Sequence, residues 1–196
     1  METKVKIVSF INTALAKSRE LDFLALLGVR LYLLPVFYEG AHAKITGFPE
    51  LVSWFGTPVA QGGLGMPAPL LMASLATATE TAGCISMVLG LGTRLISVPL
   101  MVTMTVAGLT VHWSHGWAAI APKTMESAQR MQAFMEWLAQ NFPGRFNYIT
   151  EFGDPIILNN GIEFTVTYLL MLAMLFFFGA GRYLSTDYWL GQKFSR

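Results

Sequence analysis

Arg30, Glu39 and His42 stand inside one long apolar stretch, with Lys44 just past it. Glu80 stands inside a second, among Thr77, Thr79 and Thr81. His112 and His115 close a third, and Glu163 opens a fourth. Ionisable groups in such stretches are costly in lipid and face a protein interior or a watered cavity, so they mark where chemistry would sit. Glu80 and Glu163 suit proton transfer. Arg30, Lys44 and His112 suit the stabilisation of negative charge developing on a bound oxygen.

The same residues permit a metal reading. Glu39 and His42 form a Glu-x-x-His pair, His112 and His115 repeat the spacing, and Glu80 and Glu163 offer carboxylates from two other segments. Carboxylate-bridged di-iron bundles use that grammar, with two Glu-x-x-His pairs at one depth. Here His115 falls partly outside the span and Glu80 lies deep. The single cysteine, Cys84, rules out an intramolecular disulfide. Its burial in an apolar stretch reads first as core filling.

The elements that must position these side chains are transmembrane helices. Only 13% of the 196 residues are charged and 54% are hydrophobic. Mean hydropathy is +0.50. A soluble domain carries about 25% charged residues, so the solvent implied is lipid. Four segments are long enough to span a bilayer core, which requires roughly 20 mostly apolar residues: 22–43, 69–91, 94–113 and 162–180. Helix is the expectation for each, because an open strand edge would leave its backbone unpaired in lipid. The fold class predicted is therefore all-α: one domain over 1–196, an integral membrane four-helix bundle. An N-terminal interfacial helix precedes it, and a helical outer insertion, 118–159, joins helices three and four.

Local signals set the boundaries. Gly90 and Gly92 predict a tight turn after helix two, with Thr93 as the cap of helix three. Gly179 and Gly181 close helix four, and Pro35 and Pro99 predict kinks. Val5, Val8, Ile11 and Leu15 recur at helical spacing among Lys4, Lys6, Lys17 and Arg19, which reads as an interfacial helix on an anionic leaflet. Helical rise puts Arg30 about 12 Å and Glu80 about 17 Å from the inner surface. Those depths make the two partners near mid-membrane, either lining a functional site or fixing helix register. Glu39, His42, Lys44, His112 and Glu163 then surround a polar cavity in the outer half.

Lys and Arg gather in the N-terminal arm, at Arg94 and at Arg182, Lys193 and Arg196, whereas 45–69 has none. The expected topology is multi-pass in a bacterial inner membrane, with both ends inside. Net charge is +1 without a basic run, so nucleic acid is not an expected partner. The lipid bilayer is. Gly83 and Gly108 allow close packing within the bundle or between copies, so a homo-oligomer stays open.

At this point the chain resembles the DoxX family of bacterial membrane proteins. The resemblance rests on Arg30, Gly40 and Lys44, and on Glu80–Thr81–Ala82–Gly83 leading to Gly90–Leu91–Gly92–Thr93–Arg94. It continues through Glu163 with Tyr168 and closes on the run from Gly179 to Asp187. Two stretches, ending His112–Trp113–Ser114–His115–Gly116 and Asn159–Asn160–Gly161–Ile162–Glu163–Phe164, are similar to the HvfX-type branch. That branch is found with copper-binding modified peptides. The resemblance implies a four-helix inner-membrane fold and a link to quinone-dependent redox chemistry.

Three functions follow as expectations. The first is a quinone-dependent oxidoreductase subunit serving periplasmic thiol, sulfur or peptide-maturation partners. In it Glu80, Arg30 and Glu163 act on protons and charge, and Arg30, Lys44, His112 and Glu80 hold the quinone. The second is a non-catalytic docking or transport partner, using the outer insertion. The third is metal handling through Glu39, His42, His112 and His115.

Overall fold

The computed structural model describes residues 12–13 and 16–194. These are mostly helical, with turns, irregular stretches and one isolated antiparallel bridge between Ile120 and Leu158. The N-terminal interfacial helix expected over 5–15 lies largely outside the described residues. The helices are α1 (Asp22–Thr46), α2 (Phe48–Gly56), α3 (Pro69–Leu89), α4 (Thr93–Ala107), α5 (Glu126–Asn141), α6 (Pro143–Thr150), α7 (Glu163–Phe178) and α8 (Thr186–Phe194).

Among the described residues, three helical stretches are long and apolar enough to cross a membrane: Ala16–Thr46, Pro69–Leu89 and Thr93–His115. The fourth expected span, α7, has 16 residues. At 1.5 Å per residue that is about 24 Å, short of a hydrocarbon core of about 30 Å. Large apolar side chains face outward along these helices, with Leu95 80% and Phe177 68% exposed. That pattern suits lipid and would be a liability in water.

The chain divides into two compact units. The first runs to Thr105 and resumes at Tyr168; the second is Val106–Thr167.

In the first unit, Arg30, Leu33, Phe37 and Ala41 are the buried residues of α1. They recur at three- and four-residue spacing, the stripe that one helix face presents to its neighbours. Leu33 and Phe37 join Met87 of α3, Leu100 of α4, and Leu172 and Leu175 of α7 in one core. Helices α1 and α3 pack most closely. Gly83 of α3 lies against Leu100 of α4, where an added Cβ would come within 3.0 Å of the leucine side chain. The chain reverses between these helices through Gly90 and Gly92, both left-handed at φ 61° and 62°, so α3 and α4 are antiparallel neighbours as the turn residues predict. Pro35 and Pro99 both sit inside continuous helices.

In the second unit, the helix continuing from α4 widens to a π-turn over Gly108–His112 and tightens to a 3-10 turn over Trp113–His115. Two irregular arms follow, one after Gly116 and one before Glu163. They are laced together by backbone bonds such as Ala121 N–H to Ile157 O, Gly161 N–H to Ala118 O and Ile162 N–H to Gly116 O. The insertion was expected to be helical; it holds α5 and α6, which meet at Phe142–Pro143, where proline removes a backbone donor.

Candidate functional site

The buried arginine takes a different partner from the one its depth suggests. Arg30 is 1% exposed. Its Nε donates to Met87 O at 2.9 Å, and one Nη donates to Met87 O at 2.7 Å and Val88 O at 3.1 Å. The other Nη donates to Ala180 O at 3.2 Å and Leu184 O at 2.9 Å. A guanidinium has five N–H donors, and these bonds use all of them. Met87 and Val88 belong to the last turn of α3, whose carbonyls have no partner within the helix. Arg30 therefore caps α3 from a neighbouring helix, with its positive charge at the negative end of the dipole.

The other side of the turn is capped by an anion. Asp187 Oδ1 accepts Gly92 N–H at 2.8 Å, and Oδ2 accepts Thr93 N–H at 3.1 Å. The first backbone donors of α4 are thus satisfied by a carboxylate nearly 100 residues away in sequence. Thr93 was expected to be this cap. Its Oγ1 is instead buried with no hydrogen-bond partner among the described residues. A carboxylate with two acceptor oxygens serves the two neighbouring donors at once, one on each oxygen. Gly90 completes the arrangement: a Cβ there would lie 2.8 Å from an Arg30 Nη and 2.7 Å from Ser185 Cβ.

Glu80, expected beside Arg30, is paired with Lys44. Lys44 Nζ lies 2.7 Å from Glu80 Oε2, and their side chains are 24% and 4% exposed. The ammonium also approaches Gly40 O at 3.5 Å. A Cβ on Gly40 would stand 2.8 Å from Glu80 Oε2, so the missing side chain makes room for the carboxylate against α1. The choice of partners has a simple cause. Side chains on a helix lean toward its N-terminus. Arg30 therefore reaches back to the end of α3, while Lys44, although 14 residues further along, reaches back to the depth of Glu80. Equal rise counted from two helix ends misses that lean.

Between the same two helices lies an apolar groove of about 600 Å³, lined by Leu34, Pro35, Tyr38, Cys84, Ile85, Val88 and Leu89. Cys84 is thus partly a wall of this groove and partly packed on the core.

Glu163 and His112 work inside the second unit. Glu163 Oε2 accepts Ala119 N–H at 3.0 Å, and its own N–H donates to Trp117 O at 3.0 Å. His112 Nδ1 is 2.9 Å from Asn160 O, a bond that requires the proton on Nδ1. Asn159 Nδ2 donates to His115 O and Ala118 O at 2.8 and 2.7 Å. Gly161 fits because a Cβ would stand 2.4 to 2.7 Å from three carbonyl oxygens. The two stretches that set the narrower resemblance are therefore bonded to each other.

Glu39 and His42 are exposed, and the His42 ring stacks on Tyr38 at 6.0 Å. His115 Nδ1 accompanies Val111 O at 3.1 Å. Among the described residues, no three of the His, Cys, Asp and Glu side chains converge as metal ligands would.

Sequence reasoning gave Asp187 no role beyond its place in the family pattern. Its capping partner is set by the chain path, and no spacing rule reaches that far. No curated protein and no solved structure matches the chain. The family comparison does find a match, to the model described as DoxX, over residues 25–113. That segment contains Arg30, Gly40, Lys44, Glu80 and both glycines of the α3–α4 turn, and over it the chain is similar to the DoxX family.

Proposed function

We propose that this protein is a four-span, inner-membrane subunit with both ends inside, passing electrons and protons from a periplasmic thiol or sulfur donor to the quinone pool. The observation that carries the reading is the Lys44–Glu80 pair, buried between α1 and α3. The apolar groove between the same helices fits the isoprenoid part of a quinone. An ammonium has three donors. Two are directed at Glu80 and Gly40 O, and the third is available to a ligand oxygen.

A quinone supplies an acceptor for two electrons and two protons. Oxidising two thiols to a disulfide releases the same number of each. Lys44 would orient an oxygen and stabilise charge there, and Glu80 would hold and pass a proton. Arg30 does not fit as a ligand, because every N–H it has is bonded to backbone carbonyl. Glu163 and His112 serve as clasps of their own unit. The test is quinone reduction by the full chain in lipid, with thiol and sulfide donors, beside Glu80→Gln and Lys44→Gln. Turnover in the parent that falls in both variants supports the site. Unchanged turnover in both removes it.

One observation favours a second reading, docking of a modified-peptide maturation partner. Phe134, Trp137 and Phe142 form an exposed aromatic row, with ring centroids 6.0 and 5.7 Å apart, and Phe152 is 96% exposed. Loss of function in Trp137→Ala, with quinone turnover absent throughout, would select this reading.

A further inference from the structure

A second cleft lies in the first unit, at the ends of α1, α4 and α7, with a volume of about 740 Å³. Its polar lining includes Asp22, Arg94, Arg182 and Asp187, and its apolar wall includes Leu26, Leu95, Met174 and Phe178. The charges are equal in number but not in pairing. Asp22 is taken by Arg182, at 2.8 Å. Both oxygens of Asp187 are taken by the Gly92 and Thr93 N–H groups. Arg94 has no acidic side chain paired with it among the described residues.

Arg94 is also badly placed for its own helix. It sits in the first turn of α4, where the macrodipole is positive and a cation is disfavoured. Its Nε lies 3.1 Å from where a Cβ on Gly179 would be, so the side chain is laid across a backbone that only glycine leaves open. The Asp22 carboxylate, hydrogen-bonded to Arg182, raises that guanidinium's pKa further above its ordinary value. Next to the cleft, Tyr183, Tyr188 and Trp189 form an aromatic cluster, with ring centroids 5.4 and 5.3 Å apart. Tyrosine and tryptophan collect at the lipid headgroup level.

We infer that this cleft binds a phosphate-bearing anion, and that the anion is the headgroup of an anionic phospholipid. Arg94 would hold the phosphate, and the wall of Leu26, Leu95, Met174 and Phe178 would lie along the acyl chain. A free phosphate would use only the arginine end and leave the apolar wall bare. A basic pocket between transmembrane helices is a known type of lipid-headgroup site. The inference rests on the membrane-spanning reading and is independent of quinone chemistry.

The experiment is native mass spectrometry of the full chain in detergent, with four probes: phosphatidylglycerol, phosphatidylcholine, glycerol phosphate and inorganic phosphate. Phosphatidylglycerol is expected to bind best. Arg94→Gln is expected to weaken it about fivefold, the effect of one arginine near an anionic headgroup. Arg94→Lys should restore most of the loss, and Arg130→Gln, an exposed charge change in the other unit, should leave binding unchanged. Equal binding of phosphatidylglycerol and phosphatidylcholine by the parent protein would overturn the inference, and that arm holds even should Arg94→Gln fail to fold. So would equal weakening by Arg130→Gln. Inorganic phosphate or glycerol phosphate competing as well as the phospholipid would overturn the lipid assignment.

Discussion

Lys44 and Glu80 form a 2.7 Å ion pair in which the carboxylate is almost wholly buried while the ammonium keeps a quarter of its side-chain surface. The asymmetry sets the consequences of breaking it. Removing the lysine strands a buried anion, whereas removing the carboxylate leaves a cation that can reach an aqueous surface.

Lys44→Met should therefore destabilise the protein by about 3–5 kcal/mol, the usual cost of stripping one partner from a buried pair. Glu80→Gln should cost less. The double variant should recover much of the loss, because no uncompensated charge remains. Denaturant unfolding of the three variants in micelles checks the order, and a double variant no better than Lys44→Met would show that the pair is not the source.

Arg30→Lys should be severe although it keeps the charge. Three donors on a tetrahedral ammonium cannot reproduce the five planar bonds to Met87, Val88, Ala180 and Leu184 carbonyls. Each buried carbonyl left without a donor costs about 1–3 kcal/mol. Hydrogen exchange at the last turn of α3 should rise sharply, with far less change along α1. An unaffected α3 terminus would contradict the capping role.

Gly90→Ala combines two faults. A left-handed backbone costs a non-glycine residue about 1–2 kcal/mol, and the new methyl would press on Arg30 and Ser185, an overpacking worth about 1–3 kcal/mol. Gly92→Ala shares the positive φ but meets nothing within 4 Å. It should show only the backbone cost. The difference between the two melting temperatures isolates the contact.

Asp187→Ala should lose about 0.5–2 kcal/mol, the range for a helix N-cap. Asp187→Asn should retain about half, keeping one acceptor oxygen for the Gly92 or Thr93 N–H. Substituting Thr93 by valine should cost little, since its hydroxyl has no hydrogen-bond partner among the described residues. A Thr93 effect as large as that of Asp187 would return the cap to Thr93.

Much was legible in the sequence. The charge deficit and the long apolar runs determined the solvent, the helical class and most span positions, because lipid admits few alternatives. Gly90 and Gly92 marked the α3–α4 turn, because few other residues accept left-handed backbone without strain. Arg30, Lys44, Glu80 and Glu163 stood out because charge in an apolar run is expensive. Partnership was decided only by tertiary structure. Arg30 went to backbone carbonyls and Glu80 to Lys44, since side-chain lean and helix offset, neither of which hydropathy encodes, set which groups meet. Asp187 reached the start of α4 through the return of the chain after α7, and the arms around Gly116 and Gly161 joined the same way. Composition and spacing named the groups that must be satisfied, and the chain path chose what satisfies them.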